Sequence, residues 1–322
     1  MQRRALLGGL ATAPIVLRHA TAQPVWPNRP IRIMVGWPPG GSVDSLARIL
    51  QPRLQEVLNQ VVVVENRPGA TGSIGAAEAA RSAPDGHTWL LVVDSHAIIP
   101  SVMNLPYDTQ RDFAPVMLLG QGPLVVTAHP STPWNSFSEM VEAARQQPGR
   151  INYATAGIGT MMHVAMVQLC NRAGIQLTHV PYRGGAPALQ DAVAGHVPLF
   201  VTNAPVGGPH VRSGNLKALG VTTRTASRHM PGVPSFHETG FTDFEAPTWW
   251  GFFGPARIPA PIQRRMQEEL TRILAEPEIR SRMEALGMDV LAKPDAEFAR
   301  FLESEVARWG QVVRENDIRL QG

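Results

Sequence analysis

Apolar residues along the chain follow two alternating rhythms. Ile31 to Gly36 is a short, mostly apolar run interrupted only by Arg32 and stopped by Trp37-Pro38-Pro39-Gly40-Gly41, the pattern of a buried strand. From Asp44 onward Leu46, Ile49, Leu50, Leu54, Val57 and Leu58 recur at helical spacing, with Asp44 placed to cap the first turn and Pro52 expected to bend the helix. Val61 to Val64 is a β-branched run, Arg67 to Gly72 a turn, and Ser73 to Ala80 a helix of small residues. A further strand, Trp89 to Val93, follows the tight turn at Pro84-Asp85-Gly86. Strand, helix, strand, helix, strand is the order of a parallel sheet wound by right-handed crossovers.

The alternation restarts after Leu124–Ala128. It predicts a helix over Ser136–Gln146, a strand at Ile151–Ala154, a helix from Thr160, and strands at Thr178–Val180 and Leu199–Thr202 with a helix between them starting near Pro187. Leu216–Val221 is another strand, Trp249–Phe253 a further apolar segment, and the remainder reads as helical. The last helix carries one apolar face, Phe298, Phe301, Leu302, Val306, Trp309 and Val313, that must dock on something. Docking it on the first lobe gives an α/β protein with a discontinuous first lobe, 23–125 plus 222–322, and a second lobe, 126–221. The chain then crosses between lobes twice, as a hinge requires.

Composition supports that picture: 322 residues with 44% hydrophobic content suffice for two domains with their own cores. The first 22 residues stand apart. Arg3 and Arg4 precede an apolar stretch from Ala5 to Leu17, and Ala20-Thr21-Ala22 offers a cleavage site before Gln23, the anatomy of a signal peptide. The arginine pair is similar to a twin-arginine export signal. The expected location is therefore the periplasm. Three of the 29 basic residues, Arg3, Arg4 and Arg18, lie in that segment, which leaves 26 to balance the 26 acidic ones. A neutral mature chain without a basic run lacks the electrostatic footprint of a nucleic-acid binder. Cys170 is the only cysteine, so no intrachain disulfide can form, and it sits within an apolar helical pattern.

No catalytic motif of high specificity occurs, neither a Gly-x-Ser-x-Gly elbow nor a phosphate loop, His-Glu-x-x-His or Cys-x-x-Cys. What does recur is a glycine-bearing turn at the carboxyl end of a strand and before a helix: Pro38-Pro39-Gly40-Gly41-Ser42, Gly69-Ala70-Thr71-Gly72-Ser73, and Ala156-Gly157-Ile158-Gly159-Thr160. In open α/β sheets that edge binds ligands, and helix N-termini there present free amides to anions. Ser42, Thr71, Ser73 and Thr160 can add hydroxyl hydrogen bonds; ordinary βα turn chemistry is the plainer reading of any one turn. Asp44 would repel an anion, so it is expected to cap its own helix. Ser95 and His96 follow a strand and His163 lies one turn into a helix, where they can line a cleft or serve as structural residues; they lack metal-ligand spacing. Trp249-Trp250 is expected in the core.

The chain resembles the Bug-type substrate-binding proteins of tripartite tricarboxylate transporters over essentially its whole mature length. The resemblance rests on Trp37-Pro38-Pro39-Gly40-Gly41-Ser42-Val43-Asp44, Val63-Val64-Glu65-Asn66-Arg67-Pro68-Gly69-Ala70, Ala83-Pro84-Asp85-Gly86-His87-Thr88 and Leu105-Pro106-Tyr107-Asp108. It continues through Asp112-Phe113-Ala114-Pro115-Val116, Asn152-Tyr153-Ala154-Thr155-Ala156-Gly157 and His179-Val180-Pro181-Tyr182-Arg183-Gly184. It implies a two-lobed periplasmic binding-protein fold, each lobe a mainly parallel sheet flanked by helices, with the ligand cleft between them. It also implies a monomeric receptor without catalysis or cofactor that delivers a small carboxylate to a two-subunit integral-membrane permease. A periplasmic sensor or an exported α/β enzyme are the other functions the same fold could carry.

Carried over residue by residue, the resemblance implies a first-lobe site at Trp37, Pro39, Gly40, Gly41 and Ser42, with Ala70, Thr71, Gly72 and Ser73 beside it and Ser95 and His96 close by. Thr155, Gly157, Gly159, Thr160, Thr202 and Asn203 would complete it from the second lobe. Where many relatives carry an acid after the strand Leu199–Thr202, this chain has Asn203, and Ile158, Met161 and Met162 replace polar residues. Those departures imply a mono- or dicarboxylate with an apolar or aromatic body.

Overall fold

The computed structural model describes residues 26–320, so the signal peptide expected over 1–22 lies outside the described residues. The first half of the first lobe follows the predicted rhythm. β1 (Ile31–Val35) is almost wholly buried, and α1 (Ser42–Leu58), β2 (Val62–Asn66), α2 (Ser73–Ala80) and β3 (Thr88–Val93) follow it, with β2 and β3 both parallel to β1. Helix α1 runs unbroken through Pro52, which lies on its exposed side, and begins two residues before Asp44.

After α3 (Ser95–Ile98) comes β4 (Phe113–Gly122), a long strand that the turn-like residues Pro115, Gly120 and Gly122 hide in the sequence. One residue, Pro123, separates it from β5 (Leu124–Ala128), so the chain passes directly from one sheet into the other. The second lobe continues through α4 (Phe137–Gln146), β6 (Asn152–Thr155), α5 (Met161–Ala173), β7 (Thr178–Pro181), α6 (Gly185–Val193), β8 (Leu199–Asn203), α7 (Ala204–Arg212) and β9 (Lys217–Val221). The chain returns in β10 (Thr248–Pro255) and ends with α8 (Ala260–Ala275), α9 (Pro277–Ala285), β11 (Asp289–Pro294) and α10 (Asp295–Glu315).

Strand order is β11-β4-β10-β3-β1-β2 in the six-stranded sheet and β7-β6-β8-β5-β9 in the five-stranded one. Both sheets are mixed rather than mainly parallel. β10 runs antiparallel to β3 and β4, β11 antiparallel to β4, and β5 antiparallel to β8 and β9. The reason lies in the crossings: strands that carry the chain between lobes enter each sheet without the helical crossover that makes neighbours parallel. β11 also corrects the expectation that everything after residue 253 is helical.

The crossings lie side by side. Gly122 pairs with Thr248 in the first sheet, while Thr222 exchanges hydrogen bonds with Leu124 and its hydroxyl donates to Ala246 O at 2.8 Å. Phe236 and Phe244 pack with Phe137 and Leu219 in the second-lobe core, so the boundary expected at 222 falls inside continuous packing. We place the return to the first lobe at β10. Helix α10, about 30 Å long at 1.5 Å per residue, reaches both lobes: Phe298 and Leu302 pack with β3 and β10, whereas Trp309, Val312 and Val313 join the second-lobe core. Its docking is thus wider than the first lobe alone.

Candidate functional site

The loops between strand ends and helix starts meet where the lobes face each other. Four helices begin there: α1 after Gly41, α5 after Thr160, α6 after Gly184 and α7 after Asn203. Their first residues line an inner chamber of about 40 Å³, namely Ser42 and Val43, Met162, Gly185 and Ala186, and Val206. First-turn amides have no partner within their own helix, and each N-terminus carries a partial positive charge. Trp37, Pro38 and Ala156 separate this chamber from an outer cleft of about 630 Å³ that is lined by residues 68–72, Gly157, Ile158 and Pro181 to Arg183.

Ser42 is the hinge of the inner chamber. Its Oγ accepts a hydrogen bond from Trp250 Nε1 at 3.2 Å and from Asn203 Nδ2, across the lobes, at 2.9 Å. With both accepting positions filled, its own proton is left to donate into the chamber. Asn203 meanwhile caps α7 by accepting from the Val206 amide at 3.3 Å. A second bond crosses between lobes at the outer cleft, where Thr71 Oγ1 donates to Ile158 O at 2.8 Å. Thr71 and Ala70 reach that position with left-handed backbones, φ 55° and 45°, a conformation that costs each about 1–2 kcal/mol and is characteristic of functional loops.

The glycine beside them is required by contact. A Cβ on Gly36 would strike the carbonyl oxygen of Gly72, and one on Gly75 would lie 2.8 Å from Gly36 Cα, so β1 and α2 meet backbone to backbone. Trp37, seated over that contact, lines the inner chamber, the outer cleft and a small cavity beneath α2. That cavity also holds Thr71, Gly72, Ser73, Ser95 and His96, together with Tyr107, whose buried hydroxyl has no partner.

The expected residues therefore divide. Trp37, Gly41, Ser42, Thr160 and Asn203 line the inner chamber; Ala70, Thr71, Gly72 and Gly157 line the outer cleft; Ser73, Ser95 and His96 sit one layer below. Pro39 and Gly40 are exposed beyond it, and the Gly40 amide is taken by Asp44 at 3.0 Å. Gly159 packs on Val102, and Thr202 is buried against Gly207. Thr155 supports rather than lines: its Oγ1 accepts from the Gly157 amide at 3.1 Å and lies 2.7 Å from His179 Nε2. Of the apolar replacements, Met162 walls the inner chamber and Ile158 the outer cleft.

Asp44 sits at the third position of α1, not at its cap. It reaches back to the Gly40 amide and holds Arg48 Nε at 2.9 Å and Asn66 Nδ2 at 3.0 Å. Burial opposes its ionisation, but these three donors together keep its carboxyl below the ordinary range, so its charge is spent away from the chamber. His96 is stacked among Tyr107, Phe113 and Phe253, and burial lowers it to about 4. His163 stacks on His179 at 3.9 Å. The residue that sequence reasoning passed over is Asp94, a buried acid in the wall of the inner chamber. Its place at the end of β3 was visible; its aim at the second lobe was not. Among the described residues no three histidine, cysteine or carboxylate side chains converge as a metal site would need.

A two-lobed α/β fold whose helix N-termini converge on a shared cleft defines a solute-binding receptor. The profile described as "Tripartite tricarboxylate transporter family receptor" matches residues 46–318, and the chain belongs to that family. It is 33% identical to Protein BugT of Bordetella pertussis, over 100% of this chain and 99% of that one. Among solved structures, "R. palustris Rpa4515 with adipate" superposes with a TM-score of 0.88 at 28% identity, covering 92% of this chain and 100% of that chain. "MatC (Rpa3494) from Rhodopseudomonas palustris with bound malate" gives 0.85 at 29% identity over 89% and 100%.

Proposed function

We propose that this receptor works in the periplasm, closes around a small mono- or dicarboxylate, and passes it to a two-subunit membrane permease of the tripartite tricarboxylate type. The observation that carries this reading is the convergence of four helix N-termini and the Ser42 hydroxyl on a chamber that no basic side chain lines. Backbone dipoles and hydroxyls are the means of holding an anion without a cation. Trp37, Val43, Val93, Met162 and Val206 supply apolar walls for the ligand's body. Structural neighbours captured with adipate and with malate support the same ligand class. No helix among the described residues is long and apolar enough to cross a membrane.

Entry requires movement. A chamber of about 40 Å³ is too small for such a ligand, so the Ser42–Asn203 and Thr71–Ile158 bonds part and reform as the lobes rotate about Pro123 and the strand pair Thr222–Leu124. The test is thermal unfolding of residues 23–322 with malate, adipate, benzoate, glutamate and glucose. A ligand at a hundredfold excess over its dissociation constant stabilises the fold by about 2.7 kcal/mol. A rise in melting temperature confined to the carboxylates without an ammonium group supports the reading; a rise with glucose alone, or a far larger one with glutamate, overturns it.

A further inference from the structure

Asp94 is 4% exposed, yet it forms part of the wall of the chamber proposed to receive an anion. Both lobes surround it. The Thr248 hydroxyl of β10 donates to Oδ2, and Asp94 shares the chamber wall with Thr160 and Met162 of the second lobe. Among the described residues no positive charge pairs with it. Of the titratable groups on the elements packed around it, Glu305 of α10 is itself acidic, accepts both Trp249 and Trp309, and has Arg308 at 3.9 Å on its far oxygen. His96 of α3 and His163 of α5 are held neutral by burial, and Asp44 of α1 is bound to Arg48.

A carboxylate placed in this chamber would therefore meet a second carboxylate at close range in a dry site, with no cation between them. One of the two must hold a proton. Resting on the carboxylate-receptor reading above, we propose that Asp94 is a ligand-contacting specificity residue: it takes up one proton from solvent as the anion enters and, as a carboxylic acid, donates a hydrogen bond to the ligand's carboxylate. The receptor thereby selects a ligand that brings no cation of its own to Asp94. Burial raises the free Asp94 carboxyl to about 7 against the opposing hydrogen bond from Thr248, and the arriving anion raises it further, so that the complex holds the proton at a pH where the free receptor has lost it. A neutral acid kept in an apolar site so that it can donate to an anion is an established device in enzymes.

The experiment is isothermal calorimetry at pH 8 in buffers of different ionisation enthalpy, with malate, adipate and benzoate as probes. The expected result is uptake of close to one proton per ligand, and an affinity that falls about tenfold per pH unit above about 7. Asp94→Asn removes the uptake and flattens the profile; its amide is the weaker donor, so it binds more weakly than the wild type at pH 6 and more tightly above pH 8. Stabilisation by a probe without proton uptake in the wild type overturns this inference alone, whether or not the variant folds. Loss of binding at every pH in a folded Asp94→Asn variant also overturns it, because a neutral donor at this position would then fail to hold the ligand's carboxylate. No stabilisation by any of the three probes overturns the carboxylate reading and this inference together.

Discussion

On the first-lobe side of the cleft the binding loops are fixed by charge at the rim and by glycine contact beneath. Asp44 holds Arg48, Asn66 and the Gly40 amide, and next to it Arg32 forks onto Glu65 at 2.7 and 2.8 Å and reaches Glu78 at 2.9 Å. On the second-lobe side the loop over Gly157 is fixed by neutral buried groups. Thr155 takes the Gly157 amide and touches His179, His179 stacks between Tyr153 and His163, and Thr160 donates to Gly157 O at 2.8 Å. The two walls present similar amides to a ligand, yet the first scaffold relies on charged pairs at its edge and the Gly157 loop on neutral buried groups. Their responses to packing, acid and salt should differ accordingly.

The largest effect is expected where the first wall relies on contact. In Gly36→Ala the new methyl group meets the Gly72 carbonyl, and neither backbone can yield without moving Thr71. Overpacking of this kind costs about 2–3 kcal/mol. Urea unfolding should show that loss together with weaker carboxylate binding; a variant as stable as the wild type would mean that β1 and α2 are not locked together and that the first wall is as adaptable as a loop.

Acid should separate the walls. Burial lowers His163 to about 4 and, with the neighbouring His163 ring, His179 to about 3, from an ordinary 6.5. Between those limits the unfolded chain holds more protons than the folded one, so stability falls as pH drops below 6.5. Each histidine contributes about 1.4 kcal/mol per pH unit once well below its unfolded value, and His96, lowered to about 4, adds to the same slope. Asp44 behaves oppositely in range: its depressed carboxyl contributes stability above its ordinary 3.8 that is lost only as pH falls through its lower folded value. Between pH 6.5 and 4 the stacked pair should therefore weaken the second wall and His96 the layer beneath the first, while the Asp44 network at the rim holds. His179→Gln, measured by urea unfolding at pH 7 and pH 5, should shrink the difference between the two; an unchanged difference would show that the stacked pair does not carry the titration.

How much of this the sequence disclosed depends on whether a local pattern or a distant partner decided it. Helix α2 and the starts of α4 and α5 near Ser136 and Thr160 lie where spacing put them, because that signal is local; that both residues cap their helices is what the structure adds. β4 was hidden by Pro115 and two glycines, α7 by Pro205, Gly207, Gly208 and Pro209, although the Asn203 cap holds that helix. The three glycine turns were legible as one edge, since each follows a strand and precedes a helix. Gly40 could not be distinguished from Gly41 without knowing that Asp44 reaches back to take its amide. Asp94 was passed over because its significance depends on sharing a wall with Met162, 68 positions on, where no basic side chain among the described residues lies, which spacing along one chain does not reveal.

The smallest effect concerns the charge that most resembles a structural ion pair. Arg48 is 52% exposed while Asp44 is 4% exposed, so the pair is solvated on one side and desolvated on the other. If the arginine were the chief support, Arg48→Ala would leave a buried carboxylate stranded at high cost. Two neutral donors remain, however, at 3.0 Å each from Gly40 and Asn66, and the deleted side chain projects into solvent that screens its charge. The expected loss is therefore under about 1 kcal/mol, with carboxylate affinity unchanged and the gap from wild type narrowing at high salt. A salt-independent loss severalfold larger would place the weight of the first wall on this one charge, and would make the contrast with the uncharged second wall sharper than the geometry alone indicates.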